Sequence, residues 1–468
     1  MSNDPLSANG GAVCRDAIPT ISFSQQRAAA EERKKAYPFR FPRDNRRLGG
    51  KFSVAENARR LLRFFYFERR LMHGLGAWAL SVPEFEVKLE IGRHIFYHAD
   101  AARALRERLH EQEIRLKEID ACRNAEIDRF MDEMLSAASA AELLAGIHQV
   151  LGAALATAYR HHIDDTDPVT DAPTIRCLRR ILTDYDPMLA WADDALAAYV
   201  EGGVEEAGLA VWRWHLQRLL ASIGGVTGSD ERSQAPTPLR TDSKPFARGT
   251  VPLRDVRFDT FKHTGDYDTA DAQERFPKDS YENLRLRFIR TQRDEVDAIE
   301  AFGTFCWDIR FKDFDSEYNL ARITWDEARH TEIGHRALLA AGYDPFELRN
   351  RLVGSTCRGP MDPAFAMAEI NLFGEVGVLK TINNLIDTAA KRNDALLNHV
   401  ADFIRADERT HVRKGQGILK VMTDLDAKAL ETRTRELFAE CLVSLGALKK
   451  DMDVFTVSRE DIEYLVGE

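Results

Sequence analysis

Two long stretches of this chain, residues 53–224 and 279–451, place apolar side chains at three- and four-residue intervals, and neither contains a run that alternates like a strand. "ENARRLLRFFYFERRLMHGLGAW" and "DSYENLRLRFIRTQRDEVDAIEAFG" show the pattern plainly. Such periodicity restricts the fold to helix packed on helix, so the expectation is an all-α chain. Between the stretches, "GGVTGSDERSQAPTPLRTDSKPFARGT" is dense in Gly, Pro, Ser and Thr, and residues 225–278 are expected as a linker between two helical domains. Residues 1–52 read as an irregular arm, solvated despite the locally basic "EERKKAYPFRFPRDNRRLGGK". Residues 452–468 read as a short tail, opened by a capping box at Ser458 and Asp461. Asp362-Pro363 marks a helix start, and "AAGYDP" at 340–345 marks a helix end.

Composition narrows the class. The 468 residues suffice for two or three cores, and 44% hydrophobic with 30% charged residues describes a folded chain. A net charge of −10 argues against nucleic acid or an anionic membrane as the main partner. Six scattered cysteines (14, 122, 177, 306, 357 and 441) contain no Cys-x-x-Cys, which excludes a closely spaced thiolate metal site and fits a reducing compartment. The first residues lack the basic and apolar regions of a signal peptide. The most apolar window, "LLAGIHQVLGAALATAY" at 143–159, is short for a membrane span and contains His148, so it is expected as a buried core helix in a cytoplasmic protein.

Chemistry enters through a repeated phrase. "TWDEARHTEIGH" (324–335) and "RADERTHV" (405–412) both spell Asp-Glu-x-x-His. Residues three apart share a helix face, so Glu327 with His330, and Glu408 with His411, can each grip one ion. A tightly held ion needs more ligands, which facing helices of a bundle can supply. In an antiparallel neighbour of about twenty residues, the facing position lies roughly 25 to 35 residues upstream. Glu295 lies 32 before Glu327, and Glu375 lies 33 before Glu408, both within apolar helical runs. Asp294, Asp297 and Glu300 compete with Glu295, and Glu369 with Glu375. Four carboxylates and two imidazoles carry a charge that two divalent ions neutralise, and oxygen-rich ligation with one imidazole per metal suits iron or manganese.

Residues from about 280 to 425 resemble the ferritin-like di-iron carboxylate proteins, on the strength of these six residues and two spacings. The resemblance implies a four-helix bundle with Glu295, Glu327, His330, Glu375, Glu408 and His411 as metal ligands, of which Glu327, His330, Glu408 and His411 form the catalytic centre. It further implies that Asp407 orients His330 and Asp326 orients His411. The implied cofactors are two iron ions cycling between Fe2+ and Fe3+, with manganese as the alternative. The implied activity is O2-dependent oxygenation or oxidation of a small organic molecule (hydroxylation, N-oxygenation or oxidative cleavage), in specialised metabolism. Electrons would come from an external donor, because no flavin, nicotinamide or iron–sulfur motif is present. Relatives sort by neighbouring residues. Thr331, Glu332, Ile333 and Gly334 offer no tyrosine for a stable radical, and Ile404 stands where N-oxygenases of aromatic amines carry a further His, leaving His335 or His399 to supply one. A second class is ferroxidase or metal binding without organic substrate, and a third is a structural partner with relict ligands. Phe302, Phe305, Trp307, Phe365, Leu372 and Phe373 are the candidates to line a substrate cavity.

The first helical stretch reads as a degenerate copy of the second. "LGAALATAYRHHIDDT" (151–166) lies over "FGEVGVLKTINNLIDT" (373–388) at an offset of 222, which sets Ala153 against Glu375, Asp186 against Glu408 and Leu189 against His411. "FERRLMHGLG" lies over "DEVDAIEAFG", setting Glu68 against Glu295, and "LEIGRHIFYH" lies over "WDEARHTEIG", setting His94 against His330. Glu68, Glu90, His94 and His98 are expected to satisfy one another in a polar core, with a residual site as the alternative, and the copy to pack on the other half or form a homodimer interface.

Overall fold

The computed structural model describes residues 22–36, 48–233, 237–242, 244–261 and 270–446. The tail with its capping box at Ser458 and Asp461, and the arm outside 22–36 and 48–52, lie outside them. Residues to Leu48 and residues from Gly49 are separate units. In the first, the arm is helical over Phe23–Ala36 and exposed along that length. That departs from the irregular arm expected, because Ala, Glu, Lys and Arg are strong helix formers, here with a Glu31–Lys34 pair at 2.7 Å.

The second unit is helical almost throughout. The main helices of its first half are α1 (Val54–Trp78), α2 (Phe85–Glu111), α3 (Ala140–Leu144, π-helical Ala145–Gly152, then Ala153–Asp165), α4 (Ala172–Glu201) and α5 (Glu206–Ser222), with shorter helices at Leu116–Asp120 and Ala125–Leu135 between α2 and α3. Its second half comprises α6 (Tyr281–Arg293), α7 (Val296–Asp308), α8 (Phe314–Ala340), α9 (Pro363–Ala368, π-helical Glu369–Gly374, then Glu375–Arg392), α10 (Ala395–Met422) and α11 (Ala427–Ser444). Caps set the boundaries. Ser53 accepts from Glu56 N at the start of α1, Asp313 from Ser316 N at α8, and Asp362 from Ala364 N with Pro363 in the first turn of α9. Gly342, at φ +84°, follows the end of α8. Among the described residues only two short strands occur, β1 (Thr260–Phe261) and β2 (Asn350–Arg351), paired in parallel. Among the described residues one helix, Ala140–Asp165, is long and apolar enough to cross a membrane, and 72% of its most apolar window is buried within the fold.

The halves share one hydrophobic core, which runs from Ala58 to Leu430. Residues 244–261 accordingly do not act as a free linker. Leu253 N donates to Leu80 O at 2.9 Å, Lys88 Nζ to Leu253 O at 2.9 Å, and Phe85 N to Asp255 Oδ2 at 3.0 Å, so the segment straps the seam. Glycine and proline there preclude regular structure but not packing.

The order of elements repeats: two long helices or their equivalent, a π-interrupted helix, a long helix and a closing helix. At the offset of 222 the π-helical turns coincide, and Glu206–Ser222 falls on residues 428–444. Matched positions also meet across the seam. A Cβ on Gly76 would collide with the carbonyl of its counterpart Gly303, and one on Gly92 would come 2.8 Å from Cβ of Ala328 across the same seam. Contact between a residue and its own equivalent is the mark of a two-fold interface, here formed within one chain. Buried ion pairs cross it: Arg69 and His73 reach Glu317 at 2.7 and 3.0 Å, and Lys88 pairs with Glu300.

Candidate metal centre

Three helices and one helix break converge in the second half. Glu295 lies at the break between α6 and α7, and the break is held from outside. Arg293, fully buried, donates to Leu348 O at 3.2 Å and Arg349 O at 2.6 Å, and also to Pro345 O. Gly334 on α8 lets this backbone approach; a Cβ there would lie 2.6 Å from Gln292 C and 2.8 Å from Arg293 Cα. Gln292 Nε2 donates to Glu295 Oε1 at 2.9 Å, turning the other carboxylate oxygen inward. Glu327 and His330 project from α8, and Glu408 and His411 from α10. Glu375 follows immediately on the π-helical turn of α9, a kind of irregularity that concentrates at functional sites. Within that turn Asn371 Nδ2 donates to His411 O at 3.3 Å and Val412 O at 3.4 Å, and Gly415 supplies the space for it.

The six side chains meet. Glu295, Glu327, His330 and Glu408 offer ligand atoms within 4.8 Å of one another, as do Glu327, Glu375, Glu408 and His411. Glu327 and Glu408 belong to both groups, so two ions would share them, each with its own Glu and His. His330 Nδ1 lies 3.1 Å from Glu295 Oε2, 3.6 Å from Glu327 Oε2 and 3.5 Å from Glu408 Oε1. His411 Nδ1 lies 3.1 Å from Glu327 Oε1, 3.3 Å from Glu408 Oε2 and 3.9 Å from Glu375 Oε1. The ring centroids are 5.8 Å apart, and none of the six residues is more than 7% exposed.

Behind the imidazoles stand two aspartates. Asp407 Oδ2 lies 3.2 Å from His330 Nε2, and Asp326 Oδ2 lies 3.4 Å from His411 Nε2. With Nε2–H donating outward, each Nδ1 lone pair faces the carboxylates. Asp326 is also held by Arg322 at 2.8 Å and by Arg329 at 2.6 Å, and Arg329 reaches Asp407 at 3.1 Å. These two arginines offset the outer aspartates and leave the inner four carboxylates uncompensated.

The inner atoms are orphans. Glu295 Oε2, Glu327 Oε1, Glu408 Oε2, His330 Nδ1 and His411 Nδ1 are all buried without a hydrogen-bond partner. Buried polar atoms left so are costly, on the order of 1–3 kcal/mol each and more when charged. Positive charge among them removes the cost, and the titration behaviour points the same way. Burial pushes Glu295 up to about 8, against the pull of His330. Burial and then the charge on Glu408 hold Glu375 well above the usual carboxylate range. Burial also opposes ionisation of Glu408, but the neighbouring Glu375 and His411 take it down to about 2. Burial disfavours both imidazolium ions, yet Asp407 and Glu295 raise His330, and Asp326 and Glu327 raise His411, well above the ordinary value. The set demands cations or protons; its oxygen-rich donors, with one imidazole per group, fit iron or manganese.

The competing carboxylates face elsewhere. Asp294 pairs with Arg293 at 2.9 Å and Asn350 at 2.9 Å, Asp297 with Arg351 at 3.0 Å, Glu300 with Lys88 and with Arg254 at 2.9 Å, and Glu369 with Arg358 at 2.6 Å. Neither candidate for a third imidazole joins the cluster. His335 packs between Phe85 and Phe346, ring centroids at 5.2 and 5.4 Å, and His399 lies edge-on to Phe403 at 4.9 Å. Phe302, Phe305, Trp307, Leu372 and Phe373 lie in the shared core, with Phe365 packed against it.

In the first half the surviving polar groups satisfy one another. Glu68 accepts from His98 Nδ1 at 2.6 Å, from Tyr185 Oη at 2.7 Å and from Tyr159 Oη. His94 Nδ1 lies 3.2 Å from His148 Nε2, and Glu90 pairs with Arg93 at 2.9 Å. The alignment set His94 against His330; in space it is His98 that meets Glu68 as His330 meets Glu295, because helical spacing leaves a one-turn ambiguity. The supporting residues Gln292, Arg322, Arg329, Gly334, Asn371 and Gly415 escaped sequence reasoning. The pairs Arg322–Asp326 and Asp326–Arg329, four and three apart on one helix, left a signal there.

No family model, no curated protein and no solved structure matches the chain.

Proposed function

We propose that the second half is a ferritin-like carboxylate bundle holding two iron ions, and that the protein is an O2-dependent oxidoreductase acting on a small organic molecule. The observation that carries this reading is the sharing of Glu327 and Glu408 between two groups that each have a Glu and a His of their own. Bound iron would supply redox chemistry with O2 that no side chain can provide. The chain's own residues do the rest. Glu295 with His330, and Glu375 with His411, hold the two outer flanks. Asp407 and Asp326 keep each imidazole proton on Nε2, so that Nδ1 remains a ligand. Burial of all six groups excludes bulk water. Electrons come from a separate donor protein. The first half is a degenerate bundle that supplies half of the shared core.

A second reading, iron oxidation or storage without organic substrate, is favoured by one observation: the aromatic residues nearest the sequence motifs are core residues rather than cavity walls. Metal analysis tests the centre and oxygen consumption separates the readings. Protein produced with iron should carry about two metal ions per chain, the number of groups present, and Glu327→Ala should lose both. O2 uptake that tracks Fe(II) alone, unchanged by organic compounds and external reductant, would select the second reading. Metal content indistinguishable between wild type and Glu327→Ala would overturn both.

A further inference from the structure

Of the five cysteines among the described residues, two come together. Cys357, on the short helix Val353–Arg358, and Cys441, on α11, pack in one small apolar cluster with Val353, Phe438 and Leu442. A hydrogen bond joins the two side chains. Cys357 is 1% exposed and Cys441 half-buried, so a small solute meets Cys441 first.

The pair is asymmetric. The hydrogen bond from Cys357 holds the Cys441 thiol below its ordinary range, while that contact and burial push Cys357 up. Burial takes Cys177 up to about 12 and raises Cys122 and Cys306, which keeps these three protonated near neutrality. Thiolate is the reactive form of cysteine, and among the described cysteines only Cys441 is eased towards it. Both elements that carry the pair also reach the π-helical turn before Glu375. Arg358, next to Cys357, pairs with Glu369 at 2.6 Å, and Arg435 of α11 lies 4.4 Å from the ring centroid of Phe373.

We propose that Cys357 and Cys441 form a reversible disulfide within the chain under peroxide, tying α11 to the helix that braces the π-helical turn. Hydrogen peroxide is the oxidant. The Cys441 thiolate attacks one peroxide oxygen; an S–O bond forms, the O–O bond breaks, and the departing hydroxide takes up the proton the thiol has lost. The Cys357 sulfur then attacks the Cys441 sulfur; an S–S bond forms, the S–O bond breaks, and the second hydroxide takes the Cys357 proton. Two thiols lose two electrons and two protons, and one peroxide becomes two waters. The pairing needs no metal at the centre.

Mass spectrometry of the full chain tests it, after brief exposure to hydrogen peroxide and blocking of the remaining thiols with N-ethylmaleimide in denaturant. A peptide linked through Cys357 and Cys441 is expected, in protein that runs at single-chain mass without reductant, and dithiothreitol should abolish the link. Cys441 should be consumed at least about tenfold faster than Cys177, whose thiolate is far scarcer. Cys357→Ser should stop at the sulfenic acid of Cys441, which dimedone captures, and Cys441→Ser should leave Cys357 reduced. The linked peptide and the relative rates are read on the wild-type chain, so they stand even if a variant folds poorly. Oxidation of Cys441 without the linked peptide, linkage to Cys122 or Cys177 instead, or Cys441 consumed no faster than Cys177 would each overturn the assignment.

Discussion

Gly334→Ala is a one-methyl test of how the centre is assembled. Gly334 lies one turn beyond His330, where α8 touches the α6–α7 break. The added Cβ would stand 2.6 Å from Gln292 C and 2.8 Å from Arg293 Cα. Carbon atoms pack at about 3.5–4.0 Å, so the break must retreat by about 1 Å. Its atoms are backbone and cannot rotate away, and Arg293 is clamped to the carbonyls of Leu348 and Arg349. Overpacking of this kind costs about 1–3 kcal/mol. Glu295 follows two residues after Arg293 and moves with it, away from a His330 Nδ1 that now lies 3.1 Å from Oε2. Loss of ligand placement by a supporting residue typically weakens metal binding roughly 10–100-fold. The weakening should fall on the Glu295–His330 group and spare the Glu375–His411 group. Anaerobic Fe(II) or Mn(II) titration, with denaturant unfolding of the metal-free protein, reads both effects. Gly208→Ala is the control: its Cβ meets nothing within 4 Å in the first turn of α5, and the change should stabilise by about 0.4–1 kcal/mol. A Gly334→Ala protein with wild-type unfolding and two wild-type metal affinities would refute the assembly described.

Asp407→Asn should lower metal affinity roughly 10–100-fold with the helical circular dichroism unchanged, since Asp407 acts through His330; unchanged affinity would deny it that role. His162 is buried among Phe52 and Phe64 with both ring nitrogens unpartnered, and burial lowers it to about 4 from 6.5. The unfolded chain therefore takes up a proton below about 6.5 that the fold refuses, so this contribution to stability is full above 6.5 and is lost as pH falls through about 4. His162→Phe should flatten that acid limb in pH-dependent unfolding without loss at neutral pH, and an unaltered limb would count against it. Glu317→Gln leaves Arg69 buried without its counter-charge at the seam and should cost about 3–5 kcal/mol in equilibrium unfolding.

Helical periodicity made the all-α architecture legible, because each long helix buries one face and exposes another. The meeting of the six side chains was legible for the same reason: a residue 32 or 33 positions upstream faces back across an antiparallel pair. What stayed hidden depends on tertiary contact. Nothing around Arg293 and Asp294 breaks a helix by composition; the break is imposed by carbonyls of residues 345–349 and by the missing side chain of Gly334. The π-helical turn before Glu375 has no residue signature either, and it is fixed by the reach of Asn371 to α10. Composition alone could not tell that residues 244–261 pack along the seam rather than tether two domains.

The two halves together supply an internal control for the metal reading. Each buries a glutamate at a matching position on a matching framework, Glu68 at 0% and Glu295 at 7% exposure. Glu68 is surrounded by donors, with His98, Tyr159 and Tyr185 all hydrogen-bonded to its two oxygens. Glu295 receives one amide hydrogen bond on Oε1, and its Oε2 faces only an imidazole lone pair and other carboxylates. A fold that can satisfy this carboxylate with protein donors does so once and leaves the second copy open. The same physics describes both environments: a buried carboxylate requires a partner, which protein donors supply at Glu68 and a cation from solution would supply at Glu295.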